Sequence, residues 1–256
     1  MAIKALDAEG YDTDKTVNVH YLRNYEQVFS PLLDRDVRLF ELGVRKGGSL
    51  LLWRDYFAQG AIVGLDLEPP LHVEDPSGRI RVYQRRQEDT ALLDRIAGET
   101  APGGFDIIID DCSHIGELTR VTFWHLFDRH LKPGGIYVIE DWGTGYWERW
   151  ADGAAYQGPA GPEGWSAALL RVFSRLAGSR AAKKHRFRRR FPSHDYGMVG
   201  FVKELVDECG MGDATFPGRG AGPARASKFA RMIVSHGQVF IFKSSGTPET
   251  APSHTP

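Results

Sequence analysis

Residues 37–49 read VRLFELGVRKGGS, so that a buried strand-type run leads directly into a glycine-rich turn and the start of a helix. The strand-type run covers residues 37–44, and the helix continues to about residue 57. Three consecutive isoleucines in a later run, FDIIIDD, indicate burial on both faces, as in a parallel sheet. Four short apolar runs of this type follow downstream, at residues 61–67, 79–83, 105–111 and 136–140.

Helical patterns lie between and around these strand-type runs. They cover residues 89–97 and 115–131, and the second is stopped by the Lys-Pro-Gly-Gly of residues 132–135. Residues 17–33 predict a further helix before the first strand, and residues 198–209 resemble an amphipathic helix. Because strands alternate with helices, the sequence predicts βαβ units in an α/β fold with a doubly wound, Rossmann-like parallel sheet.

The predicted organisation is a single domain over residues 1–243, beginning with an N-terminal helical cap at residues 1–34. A segment rich in Gly, Trp and Pro at about residues 143–192 breaks the strand–helix alternation and predicts a lid insertion, with a helical piece at 165–176. Residues 244–256 hold Pro, Ser, Thr and Gly and predict a disordered tail.

The charge balance disfavours several classes of protein. Lys and Arg number 32 against 33 Asp and Glu, a formal net charge of −1, which argues against a globally basic nucleic-acid binder and an acidic disordered chain. Residues 180–190 are locally basic, and a solvated face of the lid is favoured over a patch for nucleic acid or phosphate.

No apolar run approaches about 18 residues, no signal peptide is evident, and the two cysteines show no CxxC spacing. We therefore expect a cytoplasmic protein without a membrane span.

The glycine-rich turn, from Glu41 to Ser49, has the composition of a ligand-binding loop. Glycines such as Gly43 let the backbone approach a ligand closely, and the following helix points its N-terminal N–H groups there. The spacing is not G-x-G-x-x-G, so that a plain strand-to-helix turn is the alternative. Asp66 ends the second strand, where an acid can accept hydrogen bonds from ribose hydroxyls or serve as a structural cap.

Two pairs of carboxylates, Asp110 with Asp111 and Glu140 with Asp141, follow two strands at the points where they end. Gathered at one edge of a parallel sheet, they would repel one another in a low-dielectric cleft. A bound divalent cation removes that conflict, and oxygen ligands favour a hard ion such as Mg²⁺. Alternation along the strand points Asp110 and Asp111 to opposite faces, and helix capping is the alternative role for one or two of the acids. His114 lies close enough along the chain to act as a general base.

The end of the chain contains a hairpin signal, because the β-type runs 230–235 and 238–243 are joined by His236 and Gly237. A hairpin after a five-stranded α/β core resembles the sheet of class I S-adenosylmethionine (SAM) methyltransferases, whereas nicotinamide-binding folds usually continue with parallel strands. The hairpin therefore favours the methyltransferase fold by analogy.

Several motifs, taken in order, resemble one group of these enzymes: the metal-dependent SAM O-methyltransferases that modify sugars on macrolides and related natural products. The group includes enzymes of the mycinamicin and macrocin type, and cephalosporin-hydroxylase-like proteins are similar. The match covers roughly residues 11–141 and returns at residues 193–206 and at the final hairpin. The motifs that carry it are Thr13-Asp14-Lys15, the loop 41–49, Asp66, residues 109–114 and residues 131–141.

The resemblance implies a role for each matched residue. Asp111, Glu140 and Asp141 fall at metal-ligand positions, and His114 falls at the position of the catalytic base, with Asp141 as the alternative base. The implied SAM-binding residues are Glu41, Gly43 and Ser49 at the methionine part, Asp66 at the ribose, Gln87 at the adenine, and Asp110.

We therefore predict a SAM- and Mg²⁺-dependent O-methyltransferase that acts on a hydroxyl of a deoxysugar in a glycosylated secondary metabolite, as in antibiotic biosynthesis. O-methylation of a non-sugar hydroxyl, on a polyketide or catechol, is one alternative. The other is a non-catalytic SAM-binding partner protein of the cephalosporin-hydroxylase-like type. We expect a homo-oligomer with a small-molecule substrate, and neither nucleic acid nor membrane as a partner.

Overall fold

The computed structural model describes residues 6–16, 19–70, 72–156 and 194–246. Within these residues, seven strands form one sheet in the order β3-β2-β1-β4-β5-β7-β6. Strands β1 to β5 pair in parallel, and β7 runs antiparallel between β5 and β6, so that the predicted doubly wound sheet with a C-terminal antiparallel hairpin is confirmed. The strands are β1 Arg38–Leu42, β2 Ala61–Asp66, β3 Ile80–Gln84, β4 Phe105–Asp110, β5 Leu131–Glu140, β6 Phe229–Val234 and β7 Gln238–Lys243.

Helices cover the sheet on both faces. In the described ranges they are α1 Val19–Phe29, α2 Gly48–Tyr56, α3 Thr90–Thr100, α4 Gly116–Arg129, α5 Ala151–Ala155, α6 Gly197–Cys209 and α7 Met211–Ala214. Short 3-10 turns lie at Asp14–Thr16, Ser30–Leu32 and Trp142–Tyr146. No helix in these ranges is long and apolar enough to cross a membrane.

The core is divided into two buried layers by the sheet. Successive strand residues point to opposite faces, so that Ile108 joins one layer while Ile107 joins the other. The first layer packs under α3, α4 and α6, and the second packs under α1 and α2, where Tyr25 and Trp53 meet edge to face. Burial of β4 on both faces explains its run of isoleucines.

The start of β5 differs from the sequence prediction. The predicted helix to residue 131 ends at Arg129, and the strand expected from residue 136 already begins at Leu131. Leu131 pairs with Phe105, and the register then shifts before Ile107. Gly134, at a φ of 74°, lies in the irregular stretch between Leu131 and Ile136, where glycine readily adopts the left-handed backbone.

The N-terminal helix is also shorter than predicted. Instead of reaching residue 33, α1 ends at Phe29 and continues as the 3-10 turn Ser30–Leu32. Pro31 explains the change, because a proline lacks the N–H that an α-helix needs and restricts the residue before it. The other predicted elements are present with boundaries shifted by a few residues, and β1 ends early where Gly43 takes a φ of 84°.

The predicted lid insertion lies mainly outside the described residues, as do its helical piece at 165–176, its basic run at 180–190 and residues 247–256. The described start of the insertion contains the turn Trp142–Tyr146 and helix α5. In α5, one oxygen of the buried Asp152 accepts the N–H of Gly116, at 2.8 Å, and of Met198, at 2.7 Å. This carboxylate therefore anchors the first turns of α4 and α6 beside the end of β5.

Candidate active site at the carboxyl edge of the sheet

The glycine-rich loop after β1 packs tightly against the end of β4. A Cβ at Gly43 would lie 2.0 Å from the carbonyl oxygen of Asp111, and the φ of 84° is one that residues with side chains rarely adopt. Glycine is therefore required at this position by both contact and backbone conformation. Gly47, also at a φ of 84°, precedes the first turn of α2. The loop thus passes over the carboxyl edge of the sheet, where α/β proteins bind ligands.

The carboxylate of Asp66 shapes this loop from the neighbouring strand. Its Oδ2 accepts the N–H groups of Val44 and Arg45, both at 2.8 Å, and its Oδ1 accepts the N–H of Glu68 at 2.9 Å. The capping role that the sequence left open is thus observed. A role towards a ribose stays a prediction.

The other predicted cofactor-binding residues lie around the loop. Glu41 and Ser49 are buried together, with the Ser49 hydroxyl donating to Glu41 Oε2 at 2.7 Å. Gln87 is buried and accepts the N–H of Ser113 at 3.0 Å. Asp110 is turned away from the other acids and accepts the hydroxyl of Tyr137 at 3.3 Å, as strand alternation predicted. The structure therefore separates Asp110 from the carboxylates of Asp111, Glu140 and Glu41, which lie together around Lys15.

Three carboxylates converge on Lys15, a residue of the turn Asp14–Thr16. Its Nζ lies 2.9 Å from Asp111 Oδ2, 2.9 Å from Glu140 Oε1 and 3.4 Å from Glu41 Oε1, and its side chain is only 1% exposed. The hydroxyl of Tyr25 donates to the same oxygen of Glu140. Sequence reasoning placed Lys15 in a motif but assigned it no role. The role of Lys15 could have been inferred because clustered acids need a positive charge nearby. A lysine can supply that charge, and so can a metal ion.

A second group of side chains lies beside this cluster and could hold a metal ion. Asp111, His114 and Asp141 each offer one ligand atom within 4.8 Å of the others, and His114 Nε2 lies 3.8 Å from Asp111 Oδ1. The hydroxyl of Tyr21 donates to Asp141 Oδ1. The structure therefore brings together three of the four residues predicted for metal and base. Glu140 faces Lys15 and Tyr25 instead, and its role as a ligand stays a prediction.

Two members of this group have unusual backbones. His114 takes a φ of 53° and Asp141 a φ of 50°, in the left-handed region that residues with side chains rarely occupy. Such conformations cost free energy and concentrate at functional sites, where the surrounding fold holds them in place. Asp141 directly follows β5, and His114 lies in the loop after the neighbouring strand β4, which supports a functional reason for their geometry.

Burial and mutual repulsion change the protonation of these acids. Burial raises the pKa of Asp111 to about 6, although Lys15 opposes the change. Burial and the charge of Asp111 raise the pKa of Glu140 to about 8, again against Lys15. Burial by itself lowers the pKa of Lys15, but the three carboxylates raise it well above its ordinary value. Burial lowers the pKa of His114, against the pull of Asp141 and Glu140, which favours the neutral ring. Protons and a metal ion would thus compete for the carboxylates between pH of about 6 and 8.

A further His/Asp group among the described residues lies at the opposite edge of the sheet. Nε2 of His125 and of His130 lie 2.8 Å and 2.6 Å from Asp94 Oδ1, and Arg129 Nε lies 3.4 Å from the same oxygen. His130 directly precedes β5, so that this group lies at the amino ends of the strands. Because ligands of open α/β sheets bind at the carboxyl ends, the group around Asp111 is the better candidate active site.

The sheet order, the glycine-rich loop and the acid-lined carboxyl edge define a methyltransferase fold. The chain matches the MycE methyltransferase from the mycinamycin biosynthetic pathway, solved in complex with Mg, SAH and mycinamycin VI, with a TM-score of 0.69. Sequence identity is 30%, and the match covers 100% of this chain and 57% of that chain. No family model matches the chain.

Comparison of sequences finds relatives whose names state the reaction that they catalyse. Mycinamicin VI 2''-O-methyltransferase of Micromonospora griseorubida is 38% identical over 174 residues, 65% of this chain and 41% of that protein. Demethylmacrocin O-methyltransferase of Streptomyces fradiae is 39% identical over 145 residues, 54% of this chain and 35% of that protein. A rhamnosyl tetracenomycin-C 2'-O-methyltransferase of Streptomyces olivaceus is 32% identical over 212 residues, 80% of this chain and 44% of that protein. The chain thus spans less than half the length of these curated relatives. Its homologues are sugar O-methyltransferases, and the resemblance predicted from the motifs is confirmed.

Proposed function

We propose that this protein is a SAM- and Mg²⁺-dependent O-methyltransferase for a hydroxyl of a deoxysugar in a glycosylated secondary metabolite. The observation that carries the proposal is the group Asp111, His114 and Asp141, which lies beyond β4 and β5 beside the glycine-rich loop. Sugar O-methyltransferases among the relatives, and the MycE complex with Mg, SAH and a macrolide, support the same donor, metal and class of substrate.

The candidate site contains the parts that such a reaction needs. SAM brings its own leaving group, so that the protein mainly supplies position and electrostatics. A divalent cation, when bound, would lower the pKa of a sugar hydroxyl and fix its orientation. The carboxylates of Asp111 and Asp141 provide hard oxygen ligands for such an ion. His114, whose pKa burial lowers, accepts the hydroxyl proton at a ring nitrogen, and Asp141 is the second candidate for this step.

Aromatic side chains beside the site suit a carbohydrate substrate. The ring of Trp150 lies 5.2 Å from the ring of His114, centroid to centroid. Tyr146 and Trp147, which follow Asp141 closely in the chain, expose 51% and 47% of their surface. Aromatic faces exposed around a few polar groups are typical of binding pockets for partly apolar ligands, and a deoxysugar on a polyketide is such a ligand.

Methyl transfer to a panel of glycosylated polyketides tests the function directly. With labelled SAM, we expect transfer to a sugar hydroxyl that stops on addition of EDTA and returns with excess Mg²⁺. Aglycones carrying free phenol or catechol hydroxyls serve as matched acceptors for the non-sugar alternative. Transfer that is indifferent to EDTA would exclude the metal role, and failure to bind SAM would exclude the proposal as a whole.

Replacing Asp66 by alanine tests the SAM site. We expect the Asp66→Ala protein to bind SAM at least about tenfold more weakly in calorimetry, because the loop N–H groups lose a charged acceptor. Asp106→Ala is the matched control, since Asp106 accepts the N–H of Arg38 at the other end of β1. Equal loss of SAM affinity in both variants would show that a general loss of stability, not the loop, is responsible.

A further inference from the structure

The carboxylate cluster already contains a cation of its own. Lys15 is 1% exposed, and its Nζ contacts one oxygen each of Asp111, Glu140 and Glu41. Burying an ammonium and several carboxylates is costly, and removing one partner leaves the others uncompensated. In the described structure, Lys15 therefore supplies one positive charge that partly offsets the negative charge of three acids.

Lys15 lies beside the candidate metal group and shares the carboxylate of Asp111 with it. Asp111 presents Oδ2 to Lys15 and Oδ1 to His114, so that this carboxylate is shared between the two. Glu140, a residue at a predicted ligand position, is held away from that group by Lys15 and Tyr25. Lys15 therefore contacts Asp111, a member of the candidate metal group, and Glu140, a second predicted ligand.

The segment that carries Lys15 also touches the glycine-rich loop. A Cβ at Gly48 would lie 2.2 Å from the carbonyl oxygen of Asp12, which shows how closely the two segments pack. The exposed pairs Asp12 with Lys46, at 2.8 Å, and Asp14 with Arg45, at 3.4 Å, add contacts that are individually weak. The segment that places Lys15 beside the acids therefore also packs on the loop predicted to bind SAM.

We propose that Lys15 is a positioning residue that acts as the resident counter-ion of the site: it holds Asp111 and Glu140 when no divalent cation is bound and lowers the affinity of the site for such a cation. This inference rests on the metal site of the proposed function. A divalent cation that binds Asp111 meets the positive charge of Lys15 on the same carboxylate, and recruitment of Glu140 as a ligand requires that it leave Lys15. The lysine thereby keeps the acids assembled without metal and prevents the site from binding divalent ions too tightly.

The test compares Lys15→Met with the unchanged protein after removal of metal by EDTA. Methionine has a similar length and no charge, and Mn²⁺ serves as the probe, with free Mn²⁺ measured by electron paramagnetic resonance. The matched control is Lys132→Met, because Lys132 pairs with Asp106 at 2.8 Å at the opposite edge of the sheet. Thermal unfolding is followed for each protein with and without Mn²⁺.

We expect Lys15→Met to lower the melting temperature of the metal-free protein by about 10 °C and Mn²⁺ to recover most of that loss. We also expect Mn²⁺ to bind on the order of tenfold more tightly to Lys15→Met, and with unchanged affinity to Lys132→Met. A fall in stability with unchanged or weaker Mn²⁺ binding would overturn the proposal and leave Lys15 as a structural residue.

A second variant covers the case in which Lys15→Met does not fold without metal. Lys15→Met combined with Glu41→Gln removes one positive and one negative charge, and we expect it to fold and to bind Mn²⁺ more tightly than the Glu41→Gln protein. If neither Mn²⁺ nor Glu41→Gln restores folding, charge balance is not the role of Lys15. These measurements do not use methyl transfer, so that an inactive protein with the expected Mn²⁺ shift would refute the proposed function and not this inference.

Discussion

The Asp111→Asn substitution is expected to lower the rate of methyl transfer by about 100- to 1,000-fold at saturating SAM and Mg²⁺. Asp111 contacts both Lys15, through Oδ2, and the His114 side of the candidate metal group, through Oδ1. Asparagine keeps the shape of the side chain but removes the negative charge that a divalent cation and Lys15 both require. Initial rates with labelled SAM measure the loss, and Mn²⁺ binding should weaken in parallel.

The control for this prediction is Asp94→Asn at the opposite edge of the sheet. Asp94 also lies among histidines, with His125 and His130 at hydrogen-bond distance, but at the amino ends of the strands. Its replacement should leave the rate of methyl transfer within about twofold, since surface changes away from a site have small effects. Full activity of Asp111→Asn, or equal losses in the two variants, would contradict the assignment of the active site.

The Gly43→Ala substitution is expected to destabilise the protein by about 3 kcal/mol or more and to abolish measurable SAM binding. The added Cβ would lie 2.0 Å from the carbonyl oxygen of Asp111 and 2.8 Å from Cα of Cys112, both backbone atoms that cannot rotate away. A left-handed φ of 84° adds strain for any residue with a side chain. Urea unfolding measures the stability, and calorimetry with SAM measures the binding.

Gly98→Ala provides the comparison. Gly98 lies within α3, and a Cβ there would have nothing within 4 Å, so that alanine should stabilise the helix by up to about 1 kcal/mol. Opposite signs of the two changes would show that the position, not the loss of a glycine, is responsible. A Gly43→Ala protein with native stability and native SAM affinity would disprove the close approach of the loop to β4.

Much of the fold could be predicted because it depends on local patterns. The run FDIIIDD predicted a central strand, and the His236-Gly237 pair predicted the hairpin, which is present as β6 and β7. The start of β5 was misplaced, because Pro133, Gly134 and Gly135 read as a helix stop and turn. Pairing of Leu131 with Phe105, an interaction between distant segments, extends the strand across them.

The candidate site, like the fold, could be predicted from the sequence only in part. The carboxylates could be placed at the edge of the sheet from the sequence, because the ends of parallel strands must meet there. The role of Lys15 could not, since its partners Asp111 and Glu140 lie 96 and 125 residues away along the chain. Hydrophobic periodicity and motif spacing describe neighbouring residues and do not predict contacts between residues so far apart in the chain.

The amino-acid sequence alone therefore determined the order of strands and helices, the glycine-rich loop and the set of acids, because each is encoded by neighbouring residues. Only the tertiary structure decided which oxygen of Asp111 meets Lys15 and which faces His114. The physical reason is the packing of the N-terminal segment over the loop and sheet. That packing places Lys15 against Asp111, Glu140 and Glu41, whose negative charge it partly offsets.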